Sequence, residues 1–125
     1  GNMDAVTIHC MKTAETTNMF STVQFKTMKP HAFLINCARG GIVDDAALAL
    51  ALKNKQIAAA GLDVFEAEPA LNPALLTVPN VVLTPHIASS TVKTRLAMAQ
   101  LAADNLVSFF ATGKALTPLN QVTSK

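Results

Sequence analysis

Phe33-Leu-Ile-Asn-Cys-Ala-Arg-Gly-Gly-Ile-Val-Asp-Asp-Ala-Ala-Leu-Ala-Leu-Ala-Leu-Lys53 passes from a strand into a helix without a long loop. Phe33 to Asn36 is a short apolar run entered from a Pro30-His31 turn, and Gly40-Gly41 permits positive φ and a tight reversal. Asp44 and Asp45 stand where an N-cap and a first-turn acid belong. They precede Leu48, Leu50 and Leu52 on an Ala-rich helix ending at Lys53-Asn54-Lys55, whose charges suit the C-terminal dipole.

Working outward, the same unit recurs. Ala5-Val-Thr-Ile-His-Cys10 reads as a strand, and Ser21 as the cap of a short helix from Thr22 to Met28 with Val23, Phe25 and Met28 as its candidate buried side chains. Ala59 to Val64 gives a third strand. Val81-Val-Leu83, entered from Pro79-Asn80, gives a fourth, closed by Pro85, which cannot donate to a ladder. Crossovers of this length require parallel strands, and the short apolar runs predict an α/β sheet buried on both faces. A long helix opens at Ser90 or Thr91 and runs to about Phe110, with Gly113 as its stop. Its Leu96, Ala99, Ala103, Leu106 and Phe110 recur at helical spacing and predict a core-facing stripe.

The 125 residues are 50% hydrophobic and 14% charged, with a mean hydropathy of +0.34, which excludes disorder and leaves room for one domain at most. The longest apolar run, Ala46 to Leu52, is far short of the roughly 20 residues that span a bilayer, so no membrane role is expected. The N-terminus lacks the basic and apolar regions of a secretory signal. A cytoplasmic location is the default expectation, and Gly1 to Met3 read as a remnant ahead of the protein proper. The net charge of +2 is scattered, and Trp and Tyr are absent, so nucleic acid is not an expected partner. Cys10 and Cys37 have no further Cys or His at zinc spacing; no metal site is expected, and both read as buried free thiols.

In an open parallel sheet the ligand sits outside the carboxyl ends of the strands. The residues there share a character. The first strand ends in His9-Cys10, the second runs into Asn36-Cys37-Ala38-Arg39, the third ends with Asp63 ahead of Glu66 and Glu68, and the fourth runs into Thr84-Pro85-His86. One rim therefore receives an Arg, three carboxylates and two His. Arg39, fixed by the following glycines, has a fork suited to a carboxylate, though a structural Arg tying two loops together fits equally well. His86, between Pro85 and Ile87, can work as acid or base near neutrality, and Glu68, held by Pro69, is its candidate partner. An Arg to bind a carboxylate, a His to move a proton and a Glu to orient that His are the parts needed to reduce a 2-keto acid. Hydrolysis by a His and carboxylate pair is the competing chemistry, but no nucleophile elbow and no HExxH occurs.

Ile35-Asn-Cys-Ala-Arg-Gly-Gly-Ile-Val-Asp44, Gly61-Leu-Asp-Val-Phe-Glu-Ala-Glu-Pro69 and Pro79-Asn-Val-Val-Leu-Thr-Pro-His-Ile87 together resemble the D-isomer-specific 2-hydroxyacid dehydrogenases, over about residues 4 to 120. The helix after Thr91 is most like the glyoxylate, hydroxypyruvate and 2-ketogluconate reductase branch. The resemblance implies a Rossmann-type doubly wound sheet, NAD or NADP as cofactor and a small 2-keto or 2-hydroxy acid as substrate. It makes Arg39 the binder of the substrate carboxylate, His86 the general acid and Glu68 the group that raises the pKa of that histidine. It puts Asp63 against the nicotinamide carboxamide, and Cys37, Ala38, Ala88 and Ser89 along the nicotinamide. His9 and Cys10 fall near the pyrophosphate and the adenosine ribose. The chain departs from the family's usual pattern with Met11 in place of Pro and His31 in place of Gly.

No GxGxxG occurs, so the phosphate-cradling turn and the acid that reads the ribose are not in this sequence. The resemblance therefore implies an incomplete sheet: residues 4–113 as the C-terminal part of a dinucleotide-binding domain with its terminal helix, and 114–125 as a tail. Such a chain is expected to be inactive alone, to self-associate through exposed apolar surface, and to belong to an intact protein that is a homodimer. The alternative is a non-catalytic half-domain acting through protein contacts, as the related transcriptional corepressors do.

Overall fold

All four strands form, two of them shorter than expected. In the computed structural model, which describes residues 2–120, β1 is Ala5–Ile8, β2 Phe33–Asn36, β3 Ala59–Leu62 and β4 Val81–Leu83. Gly1 of the expected remnant and residues 121–125 of the expected tail lie outside the described residues. Between the strands come helix α1 (Thr22–Thr27), helix α2 (Asp45–Lys53) and a 3-10 turn (Pro73–Thr77). The sheet is parallel in the order β1-β2-β3-β4. Every crossover steps the same way, and right-handed crossovers repeated in one direction put α1, α2 and the 3-10 turn on one face.

The register sets the core. Val6, Leu34, Ala60 and Val81 lie side by side across the sheet, and so do Ile8, Asn36, Leu62 and Leu83. These rows meet Phe25 of α1, Leu48, Ala51 and Leu52 of α2 and Leu75 of the 3-10 turn in one buried cluster. The alternate row of Thr7, Ile35, Gly61 and Val82 faces the other way and is covered much less, and neighbouring Phe33 points there too. Val82 is 68% exposed and Phe33 42%. The expectation of a sheet buried on both faces is therefore corrected: in this unit the helices cover one face only. Val23 also fails as a buried residue, because on so short a helix only Phe25 can point fully inward.

Local chemistry explains where the helices begin and end. Asp44 accepts the Ala47 N–H at 2.9 Å and caps α2, and Lys55, at φ 55°, closes it. The Ser21 N–H and hydroxyl both donate to Gln24 Oε1 and fix the start of α1. The chain divides into two compact units, Gly1–Ala88 and Ser89–Lys125. The second is built on helix α3 (Val92–Thr112), capped by the Thr91 hydroxyl on the Thr94 N–H and stopped by Gly113 at φ 74°. None of its residues is buried, so the expected core-facing stripe is corrected: Leu96, Ala99, Ala103, Leu106 and Phe110 are all exposed. No helix among the described residues is long and apolar enough to cross a membrane.

Leu48 and Leu52 sit four residues apart on the inward face of α2, whereas Leu50 is 52% exposed. Leu48→Ala is expected to destabilise the protein carrying this chain by about 2–5 kcal/mol, and Leu50→Ala by less than about 1 kcal/mol. Chemical denaturation of the two variants gives the comparison, and equal losses would mean that α2 does not pack as described.

Candidate active site

The carboxyl ends of the strands open into one cavity of about 760 Å³. His9, Cys10, Met11 and Lys12 line it from the β1 end, Cys37, Ala38, Arg39 and Gly40 from β2, Phe65, Glu66 and Glu68 from β3, and His86 from β4. Both cysteines are exposed, which corrects the expectation of buried thiols. The strands stop at Ile8 and Asn36, so each cysteine lies beyond a strand end, outside the alternation that would have buried it.

One side chain that sequence reasoning left without a role shapes the turn that carries Arg39. Asn36, 1% exposed, donates through Nδ2 to the Arg39 carbonyl at 3.1 Å and accepts the Ala38 N–H through Oδ1 at 3.1 Å. Asn36 thus folds its own chain back, an Asx-type turn that an Asn ahead of Gly-Gly could have signalled. Gly40 passes so close to β3 that a Cβ there would fall 1.7 Å from the Phe65 carbonyl oxygen. Buried Asp45 accepts the Glu66 N–H at 3.1 Å and anchors the same loop to the start of α2. Burial pushes the Asp45 carboxyl up; the Glu66 N–H partly offsets this, while Glu66, Asp44 and Glu68 reinforce it. Arg39 spends one N–H on its neighbour, the Ala38 carbonyl at 2.7 Å, and meets no carboxylate among the described residues.

Beyond β4 the backbone is held from below. Asp63, 2% exposed, accepts the Thr84 hydroxyl and the Ile87 N–H on Oδ1 and the Ala88 N–H on Oδ2, the last two at 2.8 Å. Burial pushes the Asp63 carboxyl up, but these three hydrogen bonds and the charge of His86 outweigh it and leave it below the usual carboxylate range. The turn so held contains His86 at φ 54°, a left-handed conformation unusual for a side chain with a Cβ. His86 Nδ1 lies 2.7 Å from Glu68 Oε2, while Glu68 Oε1 accepts the Phe65 N–H at 2.8 Å. A second, more apolar cavity of about 510 Å³ lies against the same pair, lined by Phe65, Pro69, Leu71, Leu83 and Pro85.

The rim thus brings together His9, Cys10, Cys37, Ala38, Arg39, Glu68 and His86, with Asp63 beneath them and Ala88 tied to Asp63. Ser89 opens the second unit, where its carbonyl accepts the Thr91 N–H.

A parallel sheet with charged and titratable side chains gathered at its carboxyl rim is the frame on which open α/β proteins bind their ligands, dinucleotides among them. The model of the D-isomer specific 2-hydroxyacid dehydrogenase NAD binding domain matches residues 1–88, and the chain belongs to this family. It is 50% identical over 102 residues to the 2-ketogluconate reductase of Gluconobacter oxydans, covering 82% of this chain and 33% of that protein. It is 52% identical over 106 residues to the glyoxylate reductase of Pyrococcus furiosus, covering 85% of this chain and 32% of that one. Among solved structures, the NADPH-dependent glyoxylate/hydroxypyruvate reductase of Sinorhizobium meliloti, in complex with NADP and malonate, superimposes with a TM-score of 0.87 at 48% identity. That match covers 93% of this chain and 36% of the other. The chain spans about a third of the length of these relatives.

The hydrogen bond from His86 and the Phe65 N–H together hold the Glu68 carboxyl below its ordinary value of 4.5, against a smaller opposing effect of burial. A depressed acid contributes its stabilisation above the ordinary value and loses it as the pH falls through the folded one. The His86–Glu68 link is therefore expected to persist at pH 4.5 and to part only in more acid solution. Following the Glu68 carboxyl carbon by NMR provides the check: a midpoint at or above 4.5 would contradict the hydrogen bonding described.

Proposed function

We propose that the protein carrying this chain is an oxidoreductase that transfers a hydride between NAD(P)H and a small 2-keto acid, giving the D-2-hydroxy acid. The observation that carries this reading is a His–carboxylate pair and an Arg that meets no carboxylate among the described residues, all in one cavity. The family supports it, as do the names of relatives that reduce glyoxylate, hydroxypyruvate or 2-ketogluconate.

The residues present fit the dinucleotide in part. The cavity lies within the roughly 300–1,000 Å³ of small-molecule sites, and two cations that line it, Lys12 and Arg39, meet no carboxylate among the described residues. His9 and Cys10 would border the cofactor at the β1 end, Cys37 and Ala38 at β2, and Ala88 beyond β4. Asp63, 2% exposed and outside the cavity lining, acts through the turn that it holds. When bound, the reduced dinucleotide supplies a hydride to the carbonyl carbon.

Arg39 holds the substrate carboxylate through its planar fork and so fixes the direction of the carbonyl. His86 gives its Nε2 proton to the carbonyl oxygen as charge develops there. Nδ1 stays on Glu68, which orients the ring and stabilises the imidazolium before transfer. In the reverse direction the neutral ring, with its remaining proton on Nδ1, takes the hydroxyl proton at Nε2.

His86→Gln in the complete protein is expected to cut kcat for glyoxylate or hydroxypyruvate at least about a hundredfold, the usual worth of a positioned acid, with Tm little changed. NADH absorbance measures it, and full turnover would sink the assignment. Arg39→Lys keeps the charge and loses the fork, so it should raise KM for the keto acid well beyond any effect on kcat.

A further inference from the structure

Lys12 is the one cavity cation to which neither the sequence pattern nor the proposed reaction gives a task. Its loop is fixed before its side chain is considered. The Thr16 hydroxyl donates to the Met11 carbonyl at 2.8 Å, the Thr13 N–H donates to Thr16 Oγ1 at 2.7 Å, and the Asn18 N–H donates to the Gly41 carbonyl at 2.9 Å. The loop after β1 is thereby fastened to the turn that displays Arg39. The Lys12 side chain then lies across the bare face of Gly41, where a Cβ would sit 2.4 Å from Nζ and 3.0 Å from Cε. Gly41, at φ 77°, leaves that channel open. Lys12 makes no salt bridge among the described residues and lines the cavity that Arg39 and His86 share.

The order of the strands says which anion it faces. Lys12 follows β1, Arg39 follows β2 and His86 follows β4, so Arg39 and His86 spring from strand ends about 10 Å apart, with Lys12 one strand further out. A two- or three-carbon keto acid held between Arg39 and His86 is spent on those two groups. The anion left for Lys12 is on the other reactant. We propose that Lys12 binds a phosphate oxygen of the dinucleotide, supplying a positive charge from the loop after β1. This rests on the functional reading above and adds to it a residue that sets cofactor affinity.

The test is equilibrium binding of NADH and NADPH to the complete protein, by cofactor fluorescence or calorimetry, for wild type, Lys12→Met and, as a control for net charge, Lys26→Met on exposed α1. Loss of a charge-assisted phosphate contact should weaken binding about tenfold or more in Lys12→Met alone, and flatten the salt dependence of Kd. An equal loss for both dinucleotides places the contact at the pyrophosphate. A loss confined to NADPH places it at the ribose 2′-phosphate, and either result supports the assignment. Unchanged Kd in Lys12→Met, an equal loss in Lys26→Met, or an effect only on KM for the keto acid would overturn it. Wild-type protein that binds neither dinucleotide would remove the functional reading itself, whereas tight wild-type binding with an indifferent Lys12→Met removes only this inference.

Discussion

A buried carboxylate, Asp63, joins the end of β3 to the chain beyond β4, and the geometry of the rim follows from that join. Three donors from the Thr84–Ala88 stretch end on its two oxygens. A left-handed residue with a side chain costs on the order of 1–3 kcal/mol, and the turn keeps His86 there because the following N–H groups have a charged acceptor waiting. The arrangement is reciprocal. Asp63 can remain ionised while 2% exposed only because those donors replace the water it has lost. Removing either side would leave a buried charge or a strained turn without its compensation.

The Arg39 side of the cavity obeys a different constraint, close approach of backbone to backbone. Gly40 lies where any Cβ would strike the Phe65 carbonyl, so the β2 turn and the β3 loop nest. That nesting holds the loop carrying Glu68 at the carboxyl rim, and Asp45 secures it by taking the Glu66 N–H at a cost in desolvation. It also separates two neighbouring acids. Glu66 has its backbone fixed to α2, while Glu68 is turned so that one oxygen takes the Phe65 N–H and the other takes His86.

Much of the fold could be read from the residues because its signals are local. Asp44 and Thr91 as caps, Gly113 as a left-handed stop, Pro85 as the end of a strand and the parallel order each depend on a few neighbouring residues. The misreadings share one cause, that burial depends on what lies across a surface. Val82 and Phe33 have the apolar character of a covered strand, and nothing in those residues says which face the helices take. Cys10 reads as the last residue of a strand and Cys37 as a small side chain packed at a strand end, yet both lie exposed beyond the strands. The α3 stripe has helical spacing, and spacing cannot supply the surface it would need. At the site, residue types at strand ends marked Arg39, Glu68 and His86. Asn36, Thr84 and Lys12 were missed because their contacts join segments far apart in sequence or fold a turn back on itself.

Lys12 shows how such a residue acquires a place. In sequence it is one lysine in a polar loop, with no periodicity or partner to single it out. Its position comes from two facts that meet only in three dimensions: the Asn18–Gly41 hydrogen bond, which fastens one loop to another, and the missing Cβ of Gly41, which opens a path for a four-carbon stem. A cation that lines the cavity and meets no carboxylate among the described residues can contribute to the affinity for an anion bound there, whereas a lysine more than a Debye length away is screened from it.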